Sequence, residues 1–186
     1  MKIETRKLSI RAAKPSDDVD ILRAAKCPQI SLMYSNNFTS IKSVQQYIEV
    51  LNDEYKLGNY KTMAIADKLT NILIGLITLE PDKSFPRAEV SYWIASLHRN
   101  NGYATEAVSA IIDYGFNKLS LNRIQAMHFP DNVSSARVLE KAGMSYEGTL
   151  RQYVGMGEMH LDCLMYAILK KDFSTGRENR PVDFIN

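Results

Sequence analysis

The sequence has few of the residues that mark disulfide-rich and metal-binding proteins. Its two cysteines, Cys27 and Cys163, lie far apart in the 186-residue chain, which argues against a disulfide scaffold or a cysteine metal site. Its three histidines, His98, His128 and His160, show no metal-ligand spacing such as H-E-x-x-H. We therefore expect two reduced thiols and no metal.

Charge and hydrophobicity are also not concentrated anywhere in the chain. The formal net charge is +2 and the basic residues are scattered, which argues against nucleic acid or an anionic membrane as the main partner. No run approaches the ~18 apolar residues of a membrane span. The segment Met1–Ile10 is charged and lacks the apolar core of a signal peptide. These absences predict a cytoplasmic protein.

The residues that are present indicate a globular α+β fold. Hydrophobic residues make up 45% of the chain, and its length suits one domain with a sizeable core. Apolar spacing predicts helices from Pro15 to near Cys27, then at Ser43–Leu57, Gly102–Leu119 and Asp131–Ala142. Strands are predicted at Leu8–Ala12, Thr62–Ala66, Ile72–Glu80, Arg87–Ala95, Arg123–Phe129, Ser145–Tyr153 and His160–Leu169. This order predicts a mixed sheet flanked by helices.

Two segments fall outside these elements. Gln29–Ser40 is irregular and polar-aromatic, and is either a flexible cover over a site or an ordinary connection. The C-terminal residues 174–186 are polar and contain proline, so we expect a mobile tail after a domain that spans residues 1–173. Gly58 is predicted to cap the end of the second helix.

One turn is a candidate binding site for an anion. Arg99-Asn100-Asn101-Gly102-Tyr103-Ala104 lies between a predicted strand and the most regular helix. The first N–H groups of a helix have no partner within it, and together with the helix dipole they attract phosphate. Gly102 and Ala104 keep the backbone accessible, and Arg99 adds a positive charge. The turn matches neither G-x-x-x-x-G-K-[ST] nor G-x-G-x-x-G, so it favours neither nucleoside triphosphates nor dinucleotides. By itself the motif is weak, because a glycine before a helix is more often just a turn.

Several ordered motifs resemble the GNAT acetyltransferase superfamily, and within it the branch of ribosomal-protein N-terminal acetyltransferases (RimJ/RimL-like). Arg99, Gly102 and Ala104 fill that family's phosphate motif, Arg/Gln-x-x-Gly-x-Gly/Ala, and they follow the strand AEVSYWIA. The stretch NVSSARVLEKAGM, Asn132–Met144, resembles a second family segment, with Met144 in place of the usual phenylalanine. Tyr146–Arg151, YEGTLR, is similar to a third. The resemblance covers roughly Leu8 to Phe173.

The resemblance implies an acyl-CoA N-acyltransferase fold with splayed strands at the cofactor site, and direct acetyl transfer from acetyl-CoA to a primary amine. It implies that the backbone of Tyr92, Trp93, Ile94 and Ala95 pairs with the pantetheine arm. The pyrophosphate would lie on the turn, against Arg99, Asn100, Asn101, Gly102, Tyr103, Ala104 and Thr105. Asn132 would contact the pantetheine or the thiol end, and Ser135 would lie near the sulfur.

The resemblance also implies candidate catalytic residues. Glu89 is the leading candidate for the general base, with Tyr153, Glu147 or a chain of waters as alternatives. Many relatives place a tyrosine four residues after the Ser135 position as the general acid, but this chain has Leu139 there. Ser135 is therefore the predicted substitute, although it could simply cap its helix. Glu89 could equally be an exposed carboxylate or part of a salt bridge.

The sequence leaves the acceptor open. The preferred hypothesis is the α-amine of a protein N-terminus. One alternative is a small amine, either a polyamine, an amino acid or an aminoglycoside; another is a CoA-binding sensor that has lost catalysis. Gln29–Ser40 contains no carboxylate, which argues against a polyamine. We expect a monomer or a homodimer that binds neither nucleic acid nor membrane.

Overall fold

A computed structural model describes residues 2–28, 30, 38–57, 62–157, 159–174 and 182–185. Its helices are α1 Asp18–Ala25, α2 Ile41–Lys56, α3 Tyr103–Asn117, α4 Val133–Lys141 and α5 Lys170–Ser174. Its strands are β1 Lys2–Glu4, β2 Leu8–Arg11, β3 Thr62–Asp67, β4 Leu73–Pro81, β5 Arg87–Ile94, β6 Arg123–His128, β7 Ser145–Met156, β8 Met159–Leu169 and β9 Asp183–Ile185. Among the described residues, no helix is long and apolar enough to cross a membrane.

The chain forms two compact units, and the first comprises Met1–Thr78, Tyr92–Ala107 and Pro181–Asn186. Its strands follow the hydrogen-bonded order β9-β1-β2-β3-β4, next to the last residues of β5. The pairs β9/β1, β1/β2, β2/β3 and β3/β4 are antiparallel. Helices α1 and α2 pack on this sheet through buried apolar side chains, with Ile21, Val44, Ile48, Leu76 and Trp93 in one cluster.

The second unit comprises Leu79–Ser91 and Val108–Arg180, and it contains the only parallel pairing with a defined register among the described strands. The first residues of β5 pair in parallel with β6, whereas β6 pairs antiparallel with β8 and β8 with β7. The sheet is therefore mixed, and the predicted α+β class is confirmed. The apolar stripe predicted for α3 is also confirmed, because Val108, Ile111, Ile112 and Phe116 are at most 1% exposed.

Most of the predicted elements are present within two residues or so of their expected ends. The structure adds two short strands that the sequence did not suggest, β1 and β9, which pair with each other. Asp183–Ile185 belongs to the segment that we expected to be a mobile tail, while 175–181 and 186 lie outside the described residues. The mobility of the tail and the single-domain division thus stay predictions. Gly58 and most of Gln29–Ser40 also lie outside the described residues.

Candidate functional site

The turn before α3 has the backbone of an anion-binding site. Asn100 and Gly102 both have positive φ, 65° and 79°, so the chain turns sharply just before the helix begins at Tyr103. Within the described part of the chain, no carbonyl accepts a hydrogen bond from the N–H groups of residues 100–105. The first such bond of the helix is Glu106 N–H to the Gly102 carbonyl, at 3.0 Å. The turn therefore presents a row of unpaired donors.

Gly102 is needed for its conformation rather than for packing. A φ of +79° lies in the left-handed region that costs a residue with a Cβ roughly 1–2 kcal/mol. A Cβ added at Gly102 would have nothing within 4 Å among its described neighbours. The space above the turn is therefore open to a ligand, which fits the predicted pyrophosphate.

The side chains of the turn point back to the protein backbone. Arg99 Nε donates to the Ile94 carbonyl at 3.1 Å, and its Nη2 lies 3.6 Å from the Cys27 sulfur. Asn101 Nδ2 donates to the carbonyls of His98 and Arg99. Arg99 thus connects the end of β5 to the turn. In this conformation the Arg99 guanidinium is bonded to the protein itself, whereas the backbone N–H groups of the turn have no carbonyl acceptor in the described chain.

The end of β5 lies tightly against β4. The Ala95 N–H donates to the Ile74 carbonyl at 2.8 Å, and a Cβ added at Gly75 would lie 2.2 Å from the Trp93 carbonyl oxygen. Only glycine fits at that position. Trp93 is 5% exposed and belongs to the core of the first unit, so its side chain packs inside the fold. Because its N–H already has an acceptor, Ala95 could pair with a cofactor only through its carbonyl, which already accepts from the His98 N–H at 2.8 Å.

Glu89 lies in β5 at the point where the parallel register ends. Its partner in β6 is Gln125, which is the last residue of β6 paired with β5 in the described structure. Both strands continue past this pair, β5 to Ile94 and β6 to His128. Gln125 Nε2 donates to Glu89 Oε2 at 3.3 Å, and Arg123 Nε donates to Gln125 Oε1 at 3.1 Å. The Arg123 bond fixes the orientation of the Gln125 amide. We did not predict a role for Gln125 from the sequence, although its spacing of two from Arg123 places both side chains on one face of the strand.

Glu147, an alternative candidate for the base, is held in an ion pair. Both of its carboxylate oxygens accept from the Arg123 guanidinium, at 2.8 and 2.6 Å. This hydrogen bonding lowers the pKa of Glu147 below its ordinary value of 4.5, against a smaller opposing effect of burial. A carboxylate with a lowered pKa is a weaker proton acceptor. The pairing therefore favours Glu89 over Glu147.

Asn132, and not the Ser135 hydroxyl, caps α4. Asn132 Oδ1 accepts from the Ser135 N–H at 3.2 Å and from Ser134 Oγ at 2.9 Å. The Ser135 hydroxyl has no hydrogen-bond partner among the described residues and is half-buried. The capping role is thus supplied by Asn132, which leaves the hydroxyl of Ser135 available. Leu139, at the position where relatives have a tyrosine, is 1% exposed and belongs to the core.

Tyr153 lies beside an irregularity in β7. The β7/β8 register shifts between Leu150 and Val154, and Gln152 has a φ of +53°. Asp162 Oδ1 accepts from the Gln152 N–H at 2.7 Å and so stabilises the bulge. Tyr153 is 56% exposed there. Bulges commonly redirect a side chain, which is consistent with a role for Tyr153 in binding.

Cys163, next to Asp162 in β8, is unreactive because it is buried. Cys163 is 3% exposed, and burial raises the pKa of its thiol, with further contributions from the carboxylates of Asp162 and Glu89. It therefore stays protonated at neutral pH. Both Cys163 and Cys27 are free thiols, as predicted.

The predicted site residues divide between the two units. The cofactor residues Tyr92 to Thr105 belong to the first unit. Glu89, Asn132, Ser135 and Tyr153 belong to the second unit. Strand β5 contributes to both, because Glu89 lies in its first half and Tyr92 in its second.

Comparisons with known proteins agree with this architecture. Residues 7–145 match the acetyltransferase (GNAT) domain family. The chain is 32% identical over 170 residues to the uncharacterized N-acetyltransferase YoaA of Bacillus subtilis, covering 90% of this chain and 96% of the relative. It is 30% identical to the uncharacterized N-acetyltransferase p20 of Bacillus licheniformis over 172 residues, 91% of this chain and 97% of the relative.

A solved structure is similar over the whole fold. The crystal structure of a GNAT-family acetyltransferase from Bacillus anthracis has a TM-score of 0.80 at 26% identity, covering 92% of this chain and 99% of that one. The family match, the mixed sheet and the unpaired N–H groups before α3 lead to one conclusion. The chain belongs to the GNAT family and is an acetyl-CoA-dependent N-acetyltransferase.

Proposed function

We propose that this enzyme acetylates the α-amine of a protein N-terminus, in the cytoplasm. Acetyl-CoA as the acetyl donor is supported by the row of unpaired N–H groups at residues 100–105. For the acceptor half, the chain is 34% identical over 102 residues to the putative ribosomal N-acetyltransferase YdaF of Bacillus subtilis, covering 54% of this chain and 56% of that one. That relative suggests an acceptor of the same kind.

The turn before α3 fits the donor. Asn100 and Gly102 both have positive φ, the N–H groups of residues 100–105 have no carbonyl acceptor in the described chain, and the position of a Cβ at Gly102 is open. These N–H groups would hold the pyrophosphate, with the α3 dipole adding to the attraction. Acetyl-CoA supplies the activated acetyl group as a thioester. The chain's own residues then have to bind the amine, remove one proton and assist the departure of the thiolate.

Glu89 would accept the proton of the incoming amine. It has one neutral donor, Gln125, rather than a cationic partner like that of Glu147, so its carboxylate is not held in an ion pair within the described structure. An α-amine has a pKa near ~8, so roughly a tenth of it is already neutral at pH 7. A lysine amine, with a pKa near ~10.4, would need a stronger base. A single carboxylate in this setting therefore suits an α-amine.

Ser135 would assist the leaving group. The amine nitrogen forms a bond to the acetyl carbon, the carbon–sulfur bond breaks, and the thiolate leaves with the electron pair. Because Asn132 supplies the helix cap, the Ser135 hydroxyl is free to donate a hydrogen bond to that sulfur. A thiol has a pKa of about 8.5, so a hydroxyl donor or a water beside it suffices.

The experiment is an acetylation assay with matched acceptors. Purified enzyme and acetyl-CoA are mixed with a peptide that has a free N-terminus and one internal lysine, and with the same peptide blocked at its N-terminus. Spermidine and an aminoglycoside are tested alongside, and mass spectrometry locates the acetyl group. We expect acetylation of the free α-amine only. Acetylation of spermidine or the aminoglycoside instead would overturn the proposed acceptor, and CoA binding without turnover on any amine would indicate a sensor.

A further inference from the structure

The turn between β1 and β2 is attached to the first turn of α3. Glu106 Oε1 accepts from Thr5 Oγ1 and from the Lys7 N–H, both at 2.7 Å. Glu106 is the acidic residue of the first turn of α3. Its carboxylate therefore fixes the backbone at Lys7 beside the turn that we assign to the pyrophosphate.

The side chain of Lys7 reaches that turn. Lys7 Nζ donates to the Asn101 carbonyl at 3.3 Å and lies 5.6 Å from the centre of the Tyr103 ring. Asn101 and Tyr103 flank Gly102, so the ammonium lies at the same turn as the unpaired N–H groups. Lys7 is half-buried, and no carboxylate lies within 4 Å of its Nζ in the described part of the chain.

The Lys7 ammonium has a carbonyl and an aromatic ring beside it but no carboxylate to neutralise it in the described structure. The N-terminal end of a helix carries partial positive charge, which repels a lysine placed there. The unpaired N–H groups of residues 100–105 add to the same potential, and the Glu106 carboxylate contacts the backbone of Lys7 rather than its ammonium. An anion with more than one negative charge would remove this repulsion and satisfy the donors together.

We propose that Lys7 is a cofactor-binding residue whose ammonium contacts a phosphate group of acetyl-CoA. The inference rests on the proposed donor site before α3, and it adds a contact from the N-terminal part of the chain. Lys7 and Asn101 are 94 residues apart in the sequence, and the bonds of Glu106 to Thr5 and Lys7 help to hold the β1–β2 turn beside the turn before α3.

The test is calorimetric titration of CoA into wild-type enzyme, Lys7→Ala, Lys7→Arg and a matched control, Lys42→Ala. Lys42 is an exposed lysine that also lies in the first turn of a helix, α2. We expect Lys7→Ala to weaken CoA binding about tenfold, the usual size of a hydrogen bond to a charged group. Lys7→Arg should retain most of the affinity, and Lys42→Ala should bind like wild type.

Dephospho-CoA distinguishes the two phosphate positions. If the loss in Lys7→Ala is the same for CoA and dephospho-CoA, Lys7 contacts the pyrophosphate; if it disappears with dephospho-CoA, Lys7 contacts the 3′-phosphate. Equal CoA affinity of Lys7→Ala and wild type would overturn the inference. A wild-type enzyme that binds no CoA would instead overturn the donor site itself.

A purely structural role for Lys7 is separable by two further measurements. Lys7→Ala keeps the backbone N–H that binds Glu106, so the thermal midpoint should match that of wild type. The salt dependence of CoA affinity should become shallower, because one phosphate contact is lost. A lowered midpoint with an unchanged salt dependence would show that Lys7 acts through the fold and not on the phosphate.

Discussion

Arg123 and Glu147 form a two-bond ion pair, with the guanidinium Nη1 and Nη2 donating to Oε1 and Oε2 at 2.8 and 2.6 Å. The same guanidinium donates through Nε to Gln125, which in turn donates to Glu89. A single arginine therefore keeps one carboxylate in an ion pair and orients the amide that contacts the other. The two carboxylates, Glu89 and Glu147, are thereby suited to different tasks.

The ion pair predicts a pH-dependent contribution to stability. The pKa of Glu147 in the folded state is below its ordinary value of 4.5, so the pair stabilises the fold above that pH and stops doing so as the pH falls through the lowered pKa. Glu147→Gln should lower the free energy of unfolding by about 0.5–1 kcal/mol at pH 7, since the pair is partly exposed. Urea unfolding checks this, and a difference from wild type that persisted well below pH 4.5 would contradict it.

The two carboxylates should also differ in catalysis. Glu89→Gln should lower kcat by roughly a hundredfold, in the range typical of a lost general base. Glu147→Gln, its matched control, should stay within about threefold of wild type because that carboxylate is neutralised by Arg123. Steady-state kinetics with the accepted peptide checks both variants. A larger loss in Glu147→Gln than in Glu89→Gln would reverse the assignment.

Gly102 offers a test of the pyrophosphate site with two nearly identical side chains. Asparagine and aspartate both tolerate a positive φ and have the same shape, and a Cβ at this position meets nothing in the free protein. Gly102→Asn and Gly102→Asp should therefore have similar thermal midpoints. If phosphates lie on the turn, Gly102→Asp should bind CoA at least about tenfold more weakly than Gly102→Asn, through charge repulsion. Equal affinities would place the pyrophosphate elsewhere.

The parts of the fold that the sequence predicted are those fixed by local patterns. The 3.6-residue period of α3 follows from residues that are neighbours in the sequence. Strands β1 and β9 have three residues each and gain their stability from pairing across the length of the chain, so no local pattern marks them.

The candidate site, like the fold, was predictable only where it is formed by consecutive residues. The glycine turn was predictable because its residues are consecutive. The contact of this turn with Lys7 and the hydrogen bonds that link Arg123, Gln125 and Glu89 form between residues that the fold brings together. The choice of Asn132 as the cap of α4 depends instead on competition between adjacent polar groups. A sequence pattern does not resolve which of two neighbouring side chains wins such a competition.

The bulge in β7 is stabilised by the Asp162 carboxylate, which predicts how substitutions there change stability. Gln152 adopts a φ of +53°, which is costly for a residue with a Cβ, and the Asp162 carboxylate compensates by accepting its N–H at 2.7 Å. Asp162→Ala should therefore lower the free energy of unfolding by about 1 kcal/mol, whereas Asp162→Asn, which keeps an acceptor oxygen, should lose less. In the double variant Gln152→Gly with Asp162→Ala, part of the stability should return because glycine adopts this φ freely.

If this bulge presents Tyr153 to the acceptor, Asp162→Ala should also raise the KM for the peptide several-fold. The affinity for CoA, measured by titration, should change by less than about twofold, because the turn at residues 99–105, which we assign to the pyrophosphate, belongs to a different unit of the chain. Tyr153→Phe, which removes only the hydroxyl, separates a hydrogen bond to the acceptor from simple contact with the ring. An Asp162→Ala enzyme with unchanged peptide KM and weakened CoA binding would show that the bulge supports the fold near the cofactor and does not serve the acceptor.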